Sequence, residues 1–269
     1  MKLFITVGNQ IAIVENDQVI YHPLNEFAHG IEIFNNQLFI AVREFQSIID
    51  YNIKVFDLKF NLIKTLQSPY KLQDVHEIMI HNNKLWITCA YDDKIVIYDF
   101  ETDKWQEWYP LGIPEPIPNI EDIRKYDHHH FNSIMIDENY IYLMANNLQY
   151  AHSELHTFDL SFNHLSSIQI GKQSHNIWEK GDELLVCSSA EQKIIGTKGF
   201  NLDLSDKETF IRGVTITPEG DIYIGASLIA PREERQLLYS KIYHLDKNYK
   251  LLDTFTMDQI GAIYAIRIV

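Results

Sequence analysis

The sequence predicts an all-β protein, a six-bladed β-propeller whose blades are four-stranded antiparallel sheets. The first observation is an apolar strand pattern that occurs six times: LFITVG from Leu3, LFIAVR from Leu38, LWITCA from Leu85, IYLMAN from Ile141, LLVCSS from Leu184 and IYIGAS from Ile222. The second is the tight-turn signal that precedes most copies. The third is the small size of the repeat, since such units bury their faces only when they stack around an axis.

Each repeat contains signals for three further strands. A first strand and a turn precede the pattern, as residues 31–34 precede Asn35-Asn36 and residues 78–80 precede Asn82-Asn83. Asn and Gly tolerate positive φ, so these pairs predict hairpins. A third strand often ends in an apolar residue and an aspartate, at Asp57, Asp99, Asp159 and Asp246. A weakly alternating fourth strand follows, at residues 62–66, 105–108, 165–168 and 251–255.

The two ends of the chain predict how the ring closes. The chain starts directly with a second-strand pattern, and residues 263–269 have the pattern of a first strand with nothing after it. Each end supplies what the other lacks, so we expect the C-terminal strand to pair with the N-terminal strands and residues 1–269 to form a single domain. A count of five or seven blades stays open as an alternative, because the copies are unevenly spaced and the copy at 174–205 is poorly formed after Cys187.

Composition and charge narrow the class of protein. Hydrophobic residues make up 46% of the chain, which is enough to bury a large core. The net charge of -14 argues against nucleic acid as a partner, since phosphate binding needs clustered Lys and Arg. Apolar runs stay well short of the roughly 20 residues that span a bilayer, and residues 1–7 are too short for a secretory signal. We therefore expect a cytoplasmic protein without a membrane partner.

Polar residues occupy one equivalent position in all six repeats. Aligned on the first apolar residue of the first strand, the residues two positions earlier are His29, His76, Asn132, His175, Arg212 and Tyr264. At the His content of this chain, six random positions would hold about 0.3 histidines, whereas three occur. The first strand of each propeller blade lines the central channel, so we expect these six side chains to meet at the channel mouth.

Converging imidazoles are good ligands for divalent metals such as Zn, Mn, Fe or Ni. We predict a metal site formed by His29, His76 and His175, with His130 as a fourth ligand or a proton-transfer group. Asp74 lies two residues before His76, where it could orient the imidazole. The alternative is a hydrated channel mouth whose histidines only bind backbone carbonyls.

The other ring residues suggest a substrate and its chemistry. Arg212 can bind an anionic group by bidentate hydrogen bonds, and it is a candidate catalytic residue as well. Asn132 and Arg232 are further candidates for substrate binding, although surface exposure alone would also explain Arg232. Together with His130, Tyr264 is a candidate for proton transfer; it could instead simply close the channel by packing.

The repeats resemble the bacterial propellers of the YVTN, NHL and gluconolactonase-like groups. This resemblance covers the whole chain and is architectural, because it lies in the repeated strands and not in a local motif. Gluconolactonase-like propellers hold their metal mainly with carboxylate and amide oxygens, and the ring here offers only Asn132 of that kind, so that activity is not carried over. Propeller lyases that act on polysaccharides and antibiotics are more similar, since they use channel histidines to abstract a proton next to a carbonyl.

Two functions follow from these observations. In the first, the protein is a metal-dependent lyase or hydrolase that acts on a small anionic or carbohydrate-like substrate in the histidine-lined channel. In the second, it is a binding module without catalytic activity that recognises a peptide or protein on its looped face. Aromatic residues near that face favour the second function, namely Phe45, Trp108, Tyr109 and Tyr150.

Overall fold

The computed structural model describes residues 1–16, 18–47, 49–114, 128–147, 152–204, 209–230, 234, 238–257 and 261–269. Almost all regular structure in these ranges is β-strand, with short 3-10 turns at Ala90–Asp92 and Ser189–Glu191. Within the same ranges, no helix has the length and apolar character needed to cross a membrane. The predicted all-β class is confirmed, and the sheets are arranged as in a β-propeller.

Four sheets contain four antiparallel strands each. The first of them consists of β7 (Val75–His81), β8 (Lys84–Cys89), β9 (Lys94–Asp99) and β10 (Lys104–Trp108). The second consists of β11 (Phe131–Ile136), β12 (Tyr140–Ala145), β13 (Glu154–Asp159) and β14 (His164–Gln169). The third consists of β15 (Ser174–Lys180), β16 (Glu183–Ser188), β17 (Lys193–Gly196) and β18 (Asn201–Asp203). The fourth consists of β19 (Thr209–Ile216), β20 (Ile222–Leu228), β21 (Ser240–Leu245) and β22 (Leu251–Met257).

The remaining strands form one seven-stranded sheet in the order β23-β1-β2-β3-β4-β5, with β6 paired to β4. Its members are β1 (Lys2–Glu15), β2 (Gln18–Phe34), β3 (Gln37–Glu44), β4 (Asp50–Asp57), β5 (Leu62–Leu66), β6 (Leu72–Gln73) and β23 (Ile263–Ile268). The structure thus has four separate four-stranded sheets where the sequence predicted six. The physical reason is that strand pairing continues through β1 (14 residues) and β2 (17 residues), past the irregularities at Gly8 and after Ala28, which joins neighbouring strands into one sheet.

The six apolar patterns are found as strands. They lie in β1, β3, β8, β12, β16 and β20, in the order of the chain. Asn35 and Asn36 have φ of 50° and 57°, and Asn82 and Asn83 have φ of 48° and 55°. Two successive residues with positive φ are the signature of a type I′ hairpin turn, which confirms the interpretation of these Asn-Asn pairs. The copy at residues 174–205 forms a regular four-stranded sheet.

The hydrophobic core lies between adjacent sheets. One cluster joins Phe39 and Ile53 of the seven-stranded sheet to Ile78 and Ile87 of the sheet β7–β10. Another joins Trp86 of that sheet to residues of β11–β14, including the fully buried Phe131. The buried apolar residues therefore pack between neighbouring sheets, as stacked blades require.

One strand of each repeat takes part in a second set of contacts. These strands touch one another in the order β2, β7, β11, β15, β19 and β23, and β23 also touches β2. They carry the six polar positions singled out in the sequence. The fold therefore brings together residues that are far apart along the chain.

Candidate functional site

A β-bulge occurs at the same point in each of these inner strands. The ladder register shifts between Ala28 and Ile31, between Val75 and Ile78, between Phe131 and Ser133, between His175 and Ile177, between Ile211 and Val214, and opposite residues 263–265 of β23. An extra residue in a strand re-aims its side chain. Each of the six predicted ring residues lies in or beside one of these bulges.

All six ring residues line one small inner cavity of ≈ 10 Å³: His29, His76, Asn132, His175, Arg212 and Tyr264. The residue after each ring position also contributes in several strands, as Glu77 and Asn176 do. A cavity of this size holds about one water molecule. It brings the predicted residues together but is too small for a substrate.

Hydrogen bonds from one inner strand to the next hold the ring together. The Ile134 N–H donates to Glu77 Oε2 at 3.1 Å, and the Asn176 N–H donates to Ser133 Oγ at 2.8 Å. The Gly213 N–H in turn donates to Asn176 Oδ1 at 2.8 Å. These side chains follow the ring positions in sequence and accept from the backbone of the neighbouring strand. The strand pattern did not reveal this role, although three of the six residues at that position are polar.

A compact group of metal-compatible ligand atoms lies beside the ring. One such atom from each of Asp74, His76 and His130 lies within 4.8 Å of the other two. His76 Nε2 is 3.5 Å from Asp74 Oδ2, and the His76 and His130 ring centroids are 4.6 Å apart. Two imidazoles and one carboxylate form a donor set that Zn and Fe proteins use. The group shares His76 and His130 with the predicted metal set. It adds Asp74 as a ligand, whereas the sequence suggested only that Asp74 orients the imidazole of His76.

The other two predicted ligands, His29 and His175, lie further from His76 than His130 does. The ring centroid of His29 is 5.5 Å from that of His76, and the centroid of His175 is 6.3 Å from it. His29 Nδ1 is 2.9 Å from the Val75 carbonyl oxygen, and His175 Nδ1 is 2.8 Å from the Gln173 carbonyl oxygen. A carbonyl only accepts, so both imidazoles carry their proton on Nδ1 and present an Nε2 lone pair.

Burial and charge keep the ring imidazoles neutral. Burial, followed by the His76 and Arg212 charges, holds the pKa of His29 well below its usual range. Burial and then Arg212 do the same to the pKa of His175. Burial also lowers the pKa of His76, although the Asp74 carboxylate opposes this shift. Neutral imidazoles have a lone pair for a metal or a proton.

The Asp74 carboxyl has the opposite balance. Its burial disfavours the charged form, but His76, His130 and His29 outweigh that effect and place its pKa below the usual range. The carboxylate is therefore ionised at neutral pH. An ionised carboxylate beside neutral imidazoles is the protonation state that binds a divalent cation.

A larger cavity of ≈ 460 Å³ opens outside the ring. His76, His175 and Arg212 line both cavities, so they separate the inner space from the outer one. His130 lines the outer cavity, whereas His29, Asn132 and Tyr264 line only the inner one. The volume of the outer cavity lies in the range of about 300–1,000 Å³ that is usual for small-molecule sites.

Arg212 is held in a fixed direction between these cavities. Its Nε donates to the Ile263 carbonyl oxygen at 2.7 Å. The guanidinium carbon lies 3.9 Å from the ring centroid of Tyr264, which is a close cation–π contact. Arg212 and Tyr264, both predicted ring residues, thus form one unit in which the guanidinium packs on the face of the tyrosine ring.

Asn132 has one partner and one open acceptor. Its side-chain N–H donates to the Ser174 carbonyl oxygen at 2.9 Å. Its buried Oδ1 has no hydrogen-bond partner among the described residues. Arg232, the remaining residue predicted to bind substrate, lies outside the described residues, as does Tyr150.

Comparisons with known proteins add information on the fold only. No protein-family model matches the chain, and no curated protein matches it. Among solved structures, a Bacteroides caccae protein of unknown function is similar with a TM-score of 0.71 at 13% identity, covering 98% of this chain and 97% of that one. The structure of a nidogen/laminin complex is similar with a TM-score of 0.70 at 10% identity, with the same coverage. At such identities, structural likeness supports the fold and leaves the function to the site.

Proposed function

We propose that the outer cavity is the active site of a metal-dependent lyase or hydrolase that acts on a small anionic substrate. The observation that carries the proposal is the grouping of Asp74, His76 and His130 within 4.8 Å, with two of these residues on a cavity that Arg212 also lines. A cation site and an anion-binding group on one cavity suit a substrate whose charged group lies next to its reacting bond.

The proposed metal ligands are Asp74, His76 and His130. Catalytic metal sites commonly use three protein ligands and leave a position open for water or substrate. The bound ion would polarise a carbonyl or lower the pKa of a water molecule. Zn, Mn, Fe and Ni are all compatible with this donor set.

The proposed proton acceptor is His175. Its Nδ1 is held by the Gln173 carbonyl and lies 3.0 Å from Ser189 Oγ, so its Nε2 can take a proton. In a lyase reaction, that nitrogen would remove a proton from the carbon beside the substrate carboxylate. The electron pair forms a double bond as the leaving group departs. Arg212 would hold the carboxylate, and Tyr264 would keep the arginine in place.

Metal analysis tests this proposal directly. Protein purified without an affinity tag is incubated separately with Zn, Mn, Fe(II) and Ni, gel-filtered and analysed by mass spectrometry. We expect about one ion per chain for at least one metal. Asp74→Asn and His76→Ala should lose that ion, because each removes a ligand. His81→Ala, which changes a histidine at the far end of β7, should retain it.

Two results would contradict the metal site. One is wild-type protein that takes up none of the four metals. The other is equal metal content in wild type, Asp74→Asn and His76→Ala. Asp74→Asn preserves the shape of the side chain, so circular dichroism and a melting curve can separate loss of the ligand from loss of the fold.

We also propose that the seven-stranded sheet is two blades, which gives six blades in one closed ring. Lys2 Nζ lies 3.6 Å from Glu15 Oε2, although the two residues are at opposite ends of β1. This supports a hairpin within β1 at Gly8, where φ is 65°. The cyclic contacts of the six inner strands support closure by β23. A cytoplasmic, single-domain protein remains our expectation.

The alternative function is a protein-binding module. Phe45 is 59% exposed and Ile113 is 80% exposed, so apolar groups are available on the surface. The similar propeller in the nidogen/laminin structure belongs to a protein complex. Trp108, by contrast, is buried against Phe158 and Phe162, which removes one of the aromatic residues on which this alternative depends.

A further inference from the structure

The outer cavity has two walls of different chemistry. One wall is polar and comes from His76, His130, Asn146, Gln173 and His175. The other is largely apolar and comes from Phe210, Leu228, Ile229 and Ala262, with Ser227 beside them. The strands β19 and β20 and the segment before β23 supply the apolar wall. An apolar wall favours a ligand with an apolar group that covers it.

The guanidinium of Arg212, which is proposed to bind the anionic group, lies next to the apolar wall. Arg212 lies two residues after Phe210 on β19, and its guanidinium carbon is 5.9 Å from the Phe210 ring centroid. A carboxylate bound by Arg212 therefore has Phe210 beside it. Phe210 is packed edge-on against the imidazole of His175 at 5.3 Å between centroids, which fixes the ring near the proposed reaction centre.

Asn146 adds a requirement for a hydrogen-bond donor. The residue is 5% exposed and lines the cavity. Its side-chain Oδ1 has no partner in the described ranges of the chain. A buried carbonyl oxygen without a donor is unfavourable. Because Oδ1 itself is enclosed by protein, the Asn146 amide would have to turn toward the cavity for a hydroxyl or amide N–H of a ligand to satisfy it.

From these three features we infer that the ligand is a small amphipathic carboxylic acid: a carboxylate, an apolar side group and one hydroxyl or amide donor. This inference deepens the proposed function and rests on it for the reaction. A sugar acid fits less well, because hydroxyls on all sides of the ring would lose water against the apolar wall without gaining partners. The chemistry of the walls thus favours an aryl or alkyl hydroxy acid over a carbohydrate.

Calorimetric titration of metal-free protein with three acids of equal charge tests the inference. The acids are phenyllactate, phenylpropionate, which lacks the hydroxyl, and galacturonate, which lacks the apolar group. We expect phenyllactate to bind at least about tenfold more tightly than galacturonate and severalfold more tightly than phenylpropionate. Asn146→Ala should remove the preference for phenyllactate over phenylpropionate.

Variants of the apolar wall provide the control. Phe210→Ala should weaken phenyllactate binding by about tenfold and leave galacturonate binding unchanged, whereas Phe210→Leu should retain most of the affinity. Phe45→Ala, which changes an exposed aromatic outside the cavity, should have no effect. Galacturonate binding as tightly as phenyllactate, or a Phe210→Ala variant with an unchanged ratio, would overturn the inference.

The two proposals can fail separately. If the protein takes up no metal but prefers phenyllactate through Phe210, the ligand class stands and the metal-dependent reaction falls. If it binds metal through Asp74 and shows no preference among the acids, the metal site stands and the ligand class falls. Titration in the presence of a chelator keeps the two measurements independent.

Discussion

Asp93 determines where the His130 imidazole lies. It ends the 3-10 turn Ala90–Asp92 with φ of 48° and is 4% exposed. Its Oδ1 accepts the backbone N–H of His130 at 2.8 Å, and its Oδ2 accepts that of His129 at 3.4 Å. One buried carboxylate therefore fixes the backbone of His129 and His130, directly before β11. Groups that orient a ligand in this way tune a metal site without touching the ion.

Replacing Asp93 should weaken metal binding without removing a ligand. We expect Asp93→Ala to lower metal affinity by about 10–100-fold and to cost about 1–3 kcal/mol of stability, because two buried N–H groups lose their acceptor. Asp93→Asn keeps one acceptor oxygen and should have a smaller effect. Chelator competition measures the affinity. Destabilised protein with wild-type affinity would show that Asp93 is only structural.

At the residue scale, the six ring positions could be predicted from the sequence and Asp93 could not. The ring residues stand at a fixed distance from a recognisable strand, because the bulge recurs at the same point of each repeat. Asp93 lies 37 residues before His130 and belongs to a turn in another sheet. Neither its spacing nor its residue type differs from that of a surface turn, so only the fold identifies it.

The turns between the third and fourth strands form a second recurring element. In one of them the Asp57 carboxylate accepts the Lys59 and Asn61 N–H groups at 2.8 and 2.9 Å. The same geometry recurs at Asp159, which accepts the N–H groups of Ser161 and Asn163, both at 2.9 Å. These bonds satisfy the backbone of a tight turn with a side chain, as Asp does in many turns.

An aromatic residue occupies the left-handed region in three of these turns. Phe60, Phe162 and Tyr249 have φ of 65°, 69° and 67°. This conformation is uncommon for a bulky residue, so packing must hold it. Phe162 stacks on Trp108 at 4.7 Å between centroids, and Tyr249 accepts the indole N–H of Trp178 at 3.0 Å. The turns at Phe162 and Tyr249 are thereby fastened to the preceding sheet.

The Asp159 turn should give a pH-dependent contribution to stability. Hydrogen bonds from Asn163 lower the pKa of this exposed carboxyl. A carboxyl whose pKa is lower in the folded state stabilises the fold above its unfolded pKa of about 3.9 and loses that contribution as pH falls through the lowered value. Asp159→Asn should therefore melt below wild type at pH 7, and the difference should vanish near pH 2.

Calorimetry across this pH range checks the prediction, with Asp253→Asn as the matched control. Asp253 is exposed on β22 and lies outside such a turn. A constant difference in melting temperature between Asp159→Asn and wild type from pH 7 to pH 2 would exclude the charge as the cause. The control variant should stay close to wild type throughout.

At the scale of elements, the strands were predictable and their joins were not. Near-continuous apolar runs identified the second strand of every repeat, because that strand is buried on both faces. The aromatic turns were overlooked, although FDLKFN and FDLSFN repeat almost letter for letter at residues 56–61 and 158–163. The geometry of these turns depends on a positive φ at the aromatic residue, and a bulky residue in a sequence does not suggest a positive φ.

The two ends of the chain meet in the seven-stranded sheet. Leu3 pairs with Ile268, and Ile5 pairs with Ile266. The backbone groups of Lys2 and Val269 exchange hydrogen bonds of 3.1 and 2.9 Å. Ile263 and Ile266 are fully buried in the cluster that joins this sheet to β19–β22. The last strand therefore links the beginning of the chain to its end.

Removing residues 263–269 should open the molecule. The deletion exposes the edge of β1 and the apolar residues that β23 covers, so we expect a lower melting temperature, a broader transition and faster proteolysis. Deletion of Val269 alone, which is 53% exposed, is the control and should have a small effect. A variant lacking residues 263–269 that melts like wild type would contradict closure by β23.

At the scale of the molecule, the sequence predicted the propeller class but neither the sheet count nor the apolar wall of the outer cavity. The structure separates four sheets because strand pairing continues through β1 and β2, past the irregularity at Gly8, and the pattern of apolar residues does not reveal such continuity. The apolar cavity wall combines Phe210, Leu228, Ile229 and Ala262, each of which looks like an ordinary strand or loop residue. Their meeting depends on how the sheets are placed around the axis.

The bulges have a practical consequence for engineering. A residue displayed by a bulge lies outside the alternating pattern of a regular strand. Three of the six ring side chains nevertheless hydrogen-bond to a backbone carbonyl of the neighbouring inner strand, namely those of His29, Asn132 and Arg212. A library on this scaffold would therefore keep these three residues and vary His76, His175 and Tyr264. Such a library would sample many arrangements of functional groups around one axis. Asn176 and Glu77 would be left unchanged, because their side chains accept the backbone N–H groups of Gly213 and Ile134 and so hold the inner strands together.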